Sequence, residues 1–394
     1  MPESSSARSE WPLLLTACTD LPPSEVRTRV SKLVGPQIQW DILLTLAERH
    51  GVQPLLAKTL SSVADHVPAD VMGRLRQSYQ ANLHKSLLLS RELIRILEVL
   101  SSAGIDVMPY KGLVLAEAVY GDIALRQAGD IDLLIRANDL KRIREALCQL
   151  GYAPHLSLSD VEEHFYLKSG YELAFDGAAG KNLLEVQWAV QPRFYAVDVD
   201  MAGMFQRATK VTAAGAEVTS PCTEDLFLLL ALHAAKHVWG RLIWLCDLAR
   251  ISVLPGLDWE QIGTQARELG IARILRVTFL LSQSLLGSSI PGAADEALPR
   301  DPGAQALTSE IEHHICAEKT YEVESVSYFR LMLRLRERRR DRLRFLTRLA
   351  FTPGPSEWAA VRLPQPLFPL YRIVRVARLA LRTVGRRGAP SPVE

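Results

Sequence analysis

Apolar residues recur three and four positions apart through most of the first hundred residues, the spacing that lines one face of a helix. Trp40-Asp41-Ile42-Leu43-Leu44-Thr45-Leu46-Ala47 and the run from Leu87 to Leu97 both carry it. Pro22-Pro23-Ser24 marks a helix start, and Gly51-Val52-Gln53-Pro54 ends one. The pattern changes at Gly104. Two apolar runs of strand length follow, Ile105 to Tyr110 and Gly129 to Ile135, with a helix-like stretch over 113–120 and a turn at Tyr120-Gly121-Asp122 between them. Asn138-Asp139 predicts a cap for a helix over 139–150 that ends at Gly151. Residues 164–176 predict another strand. A Gly-rich hairpin turn, Asp176-Gly177-Ala178-Ala179-Gly180, leads into a strand over 181–188.

Further on, Thr223 predicts the N-cap of one long helix reaching Ile251, with acids in its first turn. Residues 252–327 read as mostly helical, interrupted by a loop over 287–305 rich in Gly, Pro and Ser. Helix following strand fits an α/β core with the sheet covered on one face.

Composition narrows the class. At 394 residues the chain is long enough for two or three packed units. With 48% hydrophobic and 23% charged residues it reads as a soluble globular protein. The first ten residues lack the basic start and apolar core of a signal peptide. The longest apolar run, Leu226 to Leu232, is far too short to span a bilayer. Five scattered cysteines, odd in number and without a Cys-x-x-Cys pair, point to a reducing cytoplasm and away from structural zinc.

Charge changes the picture more. Residues 328–388 hold sixteen arginines, no lysine and three acids, Glu337, Asp341 and Glu357. Residues 1–327 carry thirty basic and forty acidic groups, a formal −10 hidden beneath a near-neutral total of +2. Two basic amphipathic helices are expected in this tail. One runs from Tyr328 to Ala350, with Leu331, Leu335, Leu346 and Leu349 among its arginines. The other follows Pro364 to Tyr371, with Ile373, Val374, Val376, Leu379 and Leu381 apolar and Arg372, Arg375, Arg378 and Arg382 basic. Such helices suit an anionic membrane surface, phosphate contacts with nucleic acid, or the acidic body of the same protein. No motif for reading nucleic-acid sequence accompanies them.

The candidate chemistry lies at 109–135. Asp130 and Asp132, two residues apart on a strand, project to one face while Ile131 and Leu133 project to the other. Adjacent carboxylates repel, and a divalent cation resolves the repulsion while leaving room for phosphate oxygens. An Asp-x-Asp triplet alone is more often a solvated strand end. Its context is fuller than that: a strand, the turn Lys111-Gly112, a helix, then Arg126 four residues before Asp130. The turn can bring backbone N–H groups and a helix N-terminus against phosphates, and glycine permits close approach.

Glu185 is a carboxylate on an otherwise apolar strand, with an edge-strand glutamate facing water as the alternative reading. On the 221–251 helix, His233, His237, Arg241 and Trp244 form one stripe, with Lys236 and Gly240 on the adjacent face. That stripe reads as a cleft wall offering Lys236 and Arg241 to a triphosphate, or as a buried helix whose polar groups pair with one another. In the second case Asp247 would hold Arg250 or Arg241. His50 and His84 read as ordinary surface or packed histidines.

The run Lys-Gly, helix, Arg, Asp-Ile-Asp-Leu-Leu-Ile resembles the nucleotidyltransferase superfamily that includes DNA polymerase β and the aminoglycoside nucleotidyltransferases. It is more closely similar to a bacterial branch described simply as nucleotidyltransferase family proteins. The superfamily usually has Gly-Ser where this chain has Lys111-Gly112, and the gap to the aspartates is longer here. Related chains often read Glu-x-His-Trp where this one reads Glu185-Val186-Gln187-Trp188.

The resemblance implies an α/β (α+β) nucleotidyltransferase core with a mixed sheet, over 104–220. Around it lie a helical cap over 1–103, a helical region over 221–327 and arginine-rich helices over 328–394. It implies Mg²⁺ or Mn²⁺ on Asp130, Asp132 and Glu185, with Glu185 as third ligand or general base. Lys111, Gly112, Arg126, Lys236 and Arg241 would position an NTP whose nucleoside monophosphate passes to an acceptor hydroxyl on a small molecule, peptide or saccharide, in the cytoplasm or at the inner face of the membrane. The competing expectation is a catalytically inactive member that keeps the fold as a binding scaffold and works through its basic tail, at a membrane or on nucleic acid.

Overall fold

A computed structural model describes residues 9–177, 180–319, 321–323 and 325–385. The polar start over 1–8, Ala178 and Ala179 of the hairpin turn, and Arg386 and Arg387 of the tail lie outside the described residues.

Four short helices open the chain: α1 (Glu10–Cys18), α2 (Pro23–Leu33), α3 (Trp40–Arg49) and α4 (Gln53–Ser61). They are followed by the 34-residue α5 (Ala69–Ser102), which leads into the sheet. The sheet has five strands in the order β1 (Val107–Pro109), β2 (Ile131–Ile135), β5 (Gly180–Gln187), β4 (Glu172–Gly177), β3 (Ala153–Pro154). β2 and β5 run parallel and the remaining pairs are antiparallel. The sheet is therefore mixed, as the resemblance implies. Between its strands lie α6 (Gly112–Tyr120), α7 (Leu140–Gln149) and α8 (Asp160–Ser169). Gly121 closes α6 in the left-handed conformation that a helix C-terminus favours.

β2 is buried on both faces, and its alternation assigns the two sides. Ile131, Leu133 and Ile135 join Leu93, Ile96 and Leu100 of α5 and Ile143 and Leu147 of α7 in one core. Asp132 and Leu134 project to the other side, where Leu134 joins a larger helical core. That side carries the site.

α9 (Met201–Arg207) and the hairpin β6 (Thr209–Ala213) and β7 (Ala216–Ser220) close the α/β unit. Ser220 Oγ donates to the Pro109 carbonyl at 2.9 Å and ties the hairpin to β1. The helical region that follows holds α10 (Thr223–Lys236), α11 (Leu242–Ser252), α12 (Trp259–Leu269), α13 (Ala272–Leu286), α14 (Gly292–Ala297) and α15 (Pro302–Cys316). Leu43, Leu46 and Leu56 share one core with Leu230, Leu245 and Leu275. The N-terminal helices and the 221–327 helices thus pack as one body against the sheet.

Several local expectations differ from the structure. The strand expected over 164–176 begins only at Glu172. Ser159, whose hydroxyl accepts from the Glu162 amide while the Glu162 carboxylate takes the Ser159 N–H, starts α8 instead. The helix after β2 begins at Leu140, and Asp139 makes no side-chain cap; its carboxylate takes Arg142 at 3.1 Å. The helix expected over 221–251 is two helices, and Cys222 rather than Thr223 stands at the N-cap. The break falls at Val238 and Trp239, both left-handed (φ 53° and 48°), where the buried Trp239 indole donates to Thr278 Oγ1. That anchoring outweighs the backbone cost of left-handed non-glycine residues. The loop expected over 287–305 contains α14 and the start of α15.

The tail forms α16 (Val326–Arg334), α17 (Arg339–Phe351), α18 (Pro355–Ala360) and α19 (Tyr371–Gly385). The expected boundary at 327/328 falls inside α16, and the single helix expected from Tyr328 to Ala350 is broken between Leu335 and Arg338. Part of the arginine charge is taken up by the body. Arg348 bonds Asp198 at 2.6 Å, Arg334 bonds Glu310 at 2.5 Å, and buried Arg336 donates to the Tyr195 carbonyl. Among the described residues no helix is long and apolar enough to cross a membrane.

Candidate active site

Asp132 on β2 stands directly opposite Glu185 on β5, and parallel pairing sets their side chains next to each other on one face. Asp130 is the residue just before β2. The period of two puts Gln187 on the same face of β5 as Glu185. The neighbouring β4 adds Glu172, opposite Gln187.

That last pairing depends on an irregularity. Gly177 pairs with Gly180, but Phe175 pairs with Leu184, so the register slips between the two rungs. Without the slip Glu172 would face Glu185 directly, and like charges directly opposite destabilise a sheet. With it, the Gln187 amide intervenes. Gln187 Nε2 is 3.0 Å from Glu185 Oε2, 3.3 Å from Glu172 Oε2 and 3.4 Å from Asp132 Oδ1, and its carbonyl oxygen accepts from the Tyr110 hydroxyl.

The carboxylates open onto a cleft of about 850 Å³. All eight residues singled out in the sequence, Lys111, Gly112, Arg126, Asp130, Asp132, Glu185, Lys236 and Arg241, line it. The far wall comes from the α10–α11 junction. His233, His237 and Trp244 bring their rings within 4.8–5.3 Å of one another there, although the single helix expected to align them is broken.

Lys111 Nζ donates to Asp132 Oδ1 at 2.8 Å and lies 4.7 Å over the Tyr110 ring. Gly112, the first residue of α6, has φ +44°, and a Cβ there would stand 3.4 Å from the Asp130 carbonyl oxygen. The left-handed backbone at 112, rather than lack of space, is what favours glycine there. Lys236 Nζ reaches the Tyr171 hydroxyl at 2.9 Å, and that hydroxyl donates to Glu172. Arg241 lies against the Trp244 ring.

Arg126 lines the cleft, but its guanidinium is committed elsewhere. Nε and Nη2 donate to Asp247 on α11 at 3.0 and 2.9 Å. Asp247 therefore holds neither Arg250 nor Arg241, the partners expected for it. His50 is buried and its Nδ1 accepts from the Leu242 amide, an ordinary packed histidine.

Burial raises the Glu185 carboxyl to about 8, with the charges of Asp132 and Glu172 adding to the effect. Burial, then Asp132, raises Asp130 to about 6. Burial works against the Lys111 charge, yet Asp132 and Tyr110 together outweigh it and hold the ammonium protonated well above its ordinary range. On the opposite wall burial lowers Lys236 and brings His237 down to about 3, so the histidine stays neutral.

The carboxylates of Asp130, Asp132, Glu172 and Glu185 line one cleft, and carboxylate oxygens are the donors a hard cation takes. Among the described residues, no three His, Cys, Asp or Glu side chains stand close enough to hold one ion. Mg²⁺ commonly takes one or two carboxylates and completes its shell with water and substrate phosphates. Asp130 and Asp132 fit that pattern. Glu185 lies beside them, hydrogen-bonded to Gln187.

Glu172, Tyr171 and Tyr110 belong to the site and were not legible in the sequence. The one signal for Glu172 is its place in the hairpin with Gln187, and the register slip conceals even that. Lys85 and Asn82 of α5 also line the cleft, and nothing in their helical spacing sets them apart.

No curated protein and no solved structure matches the chain. The sequence model of the family described as uncharacterised nucleotidyltransferase matches residues 36–287, which takes in α3 to α13, the whole sheet and every residue of the site named above. The chain belongs to this uncharacterised nucleotidyltransferase family.

Proposed function

We propose that the chain moves a nucleoside monophosphate from an NTP to an acceptor hydroxyl, releasing pyrophosphate. The observation that carries this reading is the pairing of Asp132 with Glu185 across β2 and β5, beside Asp130 and Lys111, in a cleft large enough for a nucleotide. Asp130 and Asp132 would hold Mg²⁺, or Mn²⁺ in its place. When bound, the ion supplies charge for the phosphate oxygens and a template for the attacking and leaving oxygens.

The remaining roles fall to the chain itself. Lys111, the Gly112 backbone at the start of α6, Lys236 and Arg241 surround the space for the triphosphate and favour negative charge there. Arg126 acts as a positioning residue, holding the Lys111-Gly112 turn against α11 through Asp247. Glu185 accepts the proton of the acceptor hydroxyl, and its raised carboxyl is matched to that task near neutral pH. The acceptor oxygen bonds to the α-phosphorus as the bond to the bridging oxygen breaks and pyrophosphate leaves. A cytoplasmic setting supplies both NTP and Mg²⁺. The acceptor is a small molecule, a peptide or a saccharide.

One observation favours a second reading. Lys111 Nζ donates directly to Asp132, a contact that would compete with a cation for that carboxylate, as suits an inactive member that keeps the fold as a scaffold. Binding of each of the four NTPs to purified protein, with and without Mg²⁺, separates the two. Metal-dependent binding that is lost in Asp130→Asn/Asp132→Asn supports the transferase. No NTP binding by a well-folded wild-type protein supports the scaffold.

A further inference from the structure

α17 and α19 pack on each other and leave the same kind of surface in solvent. On α17 the exposed large apolar residues are Leu343, Leu346 and Phe351; on α19 they are Ile373, Val376 and Leu381. In both helices these fall at i, i+3 and i+8, one stripe each. Leu343, Ile373 and Leu381 are 67%, 66% and 69% exposed.

The polarity of α19 is inverted. Arg375 is only 6% exposed and reaches the buried Glu357 and the Leu349 carbonyl, while Arg378 also turns to Glu357. The helix turns two of its arginines to the protein and offers apolar side chains outward. Leu367, Leu370 and Val361, in the segment between the two helices, are exposed as well. Exposed apolar stripes on two packed helices suit an interaction site.

We propose that α17 and α19 form a docking surface for an anionic phospholipid bilayer. The charge around the stripes selects this occupant. Arg339, Arg340, Arg362 and Arg372 are exposed beside them. A second copy of the chain joined through the same face would bring arginine onto arginine, since a two-fold interface meets itself. Nucleic acid answers the arginines but offers nothing to Leu343, Phe351 and Ile373. A bilayer with anionic headgroups answers both, with the apolar stripes entering the acyl boundary and the arginines at headgroup level. The inference stands independently of the nucleotide chemistry.

The test is sedimentation of the full chain with phosphatidylcholine vesicles and with vesicles of phosphatidylcholine and phosphatidylglycerol, at low and high salt. Binding is expected only to the anionic vesicles, and weaker at high salt. Leu343→Ser/Ile373→Ser should lower partitioning by roughly tenfold or more, and Arg339→Gln/Arg340→Gln by about tenfold. All four side chains are exposed, so unchanged thermal unfolding checks that these variants fold. Two results would overturn the proposal. One is equal binding to both vesicle types, or none. The other is a concentration-dependent dimer in light scattering that Leu343→Ser/Ile373→Ser abolishes.

Discussion

Arg126 and Asp247, 121 positions apart in the chain, form a buried bidentate ion pair that fastens the candidate active site to the helical body. Asp247 Oδ1 also accepts from the Tyr120 hydroxyl at 2.7 Å, and Arg126 Nη1 points at the Gly112 carbonyl. Both ends of α6 are thereby held against α11.

Removing one partner leaves the other charge buried alone. Asp247→Ala should cost about 3–5 kcal/mol of stability, read by denaturant unfolding, whereas Arg126→Met/Asp247→Leu should recover much of that loss. Equal destabilisation by the single and double variants would mean that packing, not the ion pair, sets the cost.

Glu185 gives the free protein a pH dependence of defined sign. Its folded-state carboxyl, near 8, lies above the unfolded value of 4.5, so the stability it contributes is full below about pH 4.5 and is lost as pH rises through about 8. Glu185→Gln should therefore be more stable than wild type at pH 9, by roughly 1–2 kcal/mol, and closer to it at pH 5. Thermal unfolding at the two pH values measures this. Mg²⁺-dependent NTP binding should strengthen between pH 6 and pH 8 as Asp130 and then Glu185 lose their protons.

Gln187 keeps three carboxylates and the Tyr110 hydroxyl in one network. Gln187→Ala would leave the buried Tyr110 hydroxyl without its acceptor and set Glu172 and Glu185 against each other without a donor between them. The expected cost is about 1–3 kcal/mol, with a further rise in the Glu185 pKa. Unfolding and a carboxyl titration by NMR would read the two effects. An unchanged titration would show that the amide does not moderate the repulsion.

Gly112→Ala places a Cβ on a left-handed residue 3.4 Å from the Asp130 carbonyl oxygen. The strain should cost about 1–2 kcal/mol and shift the turn that faces the triphosphate, so NTP affinity should fall further than stability alone explains. Titration of nucleotide against the folded variant checks it.

The sequence by itself determined the elements whose pattern is local. The Asp-x-Asp strand, the Lys111-Gly112 turn, α6 with its closing glycine, and the polarised charge all follow from spacing along one segment, because alternation and caps act over a few residues. The shape of the site was decided by contacts between distant segments. Parallel pairing of β2 with β5 set Asp132 beside Glu185. The register slip in β4–β5 moved Glu172 opposite Gln187. The anchoring of Trp239 broke the long helix and still left His233, His237 and Trp244 together. Asp247 engaged the Arg126 guanidinium, and Glu357 drew Arg375 inward while apolar side chains of α19 stayed outward. In each case a buried charge or ring found its partner more than a dozen residues away, and no local rule of spacing can choose among such partners.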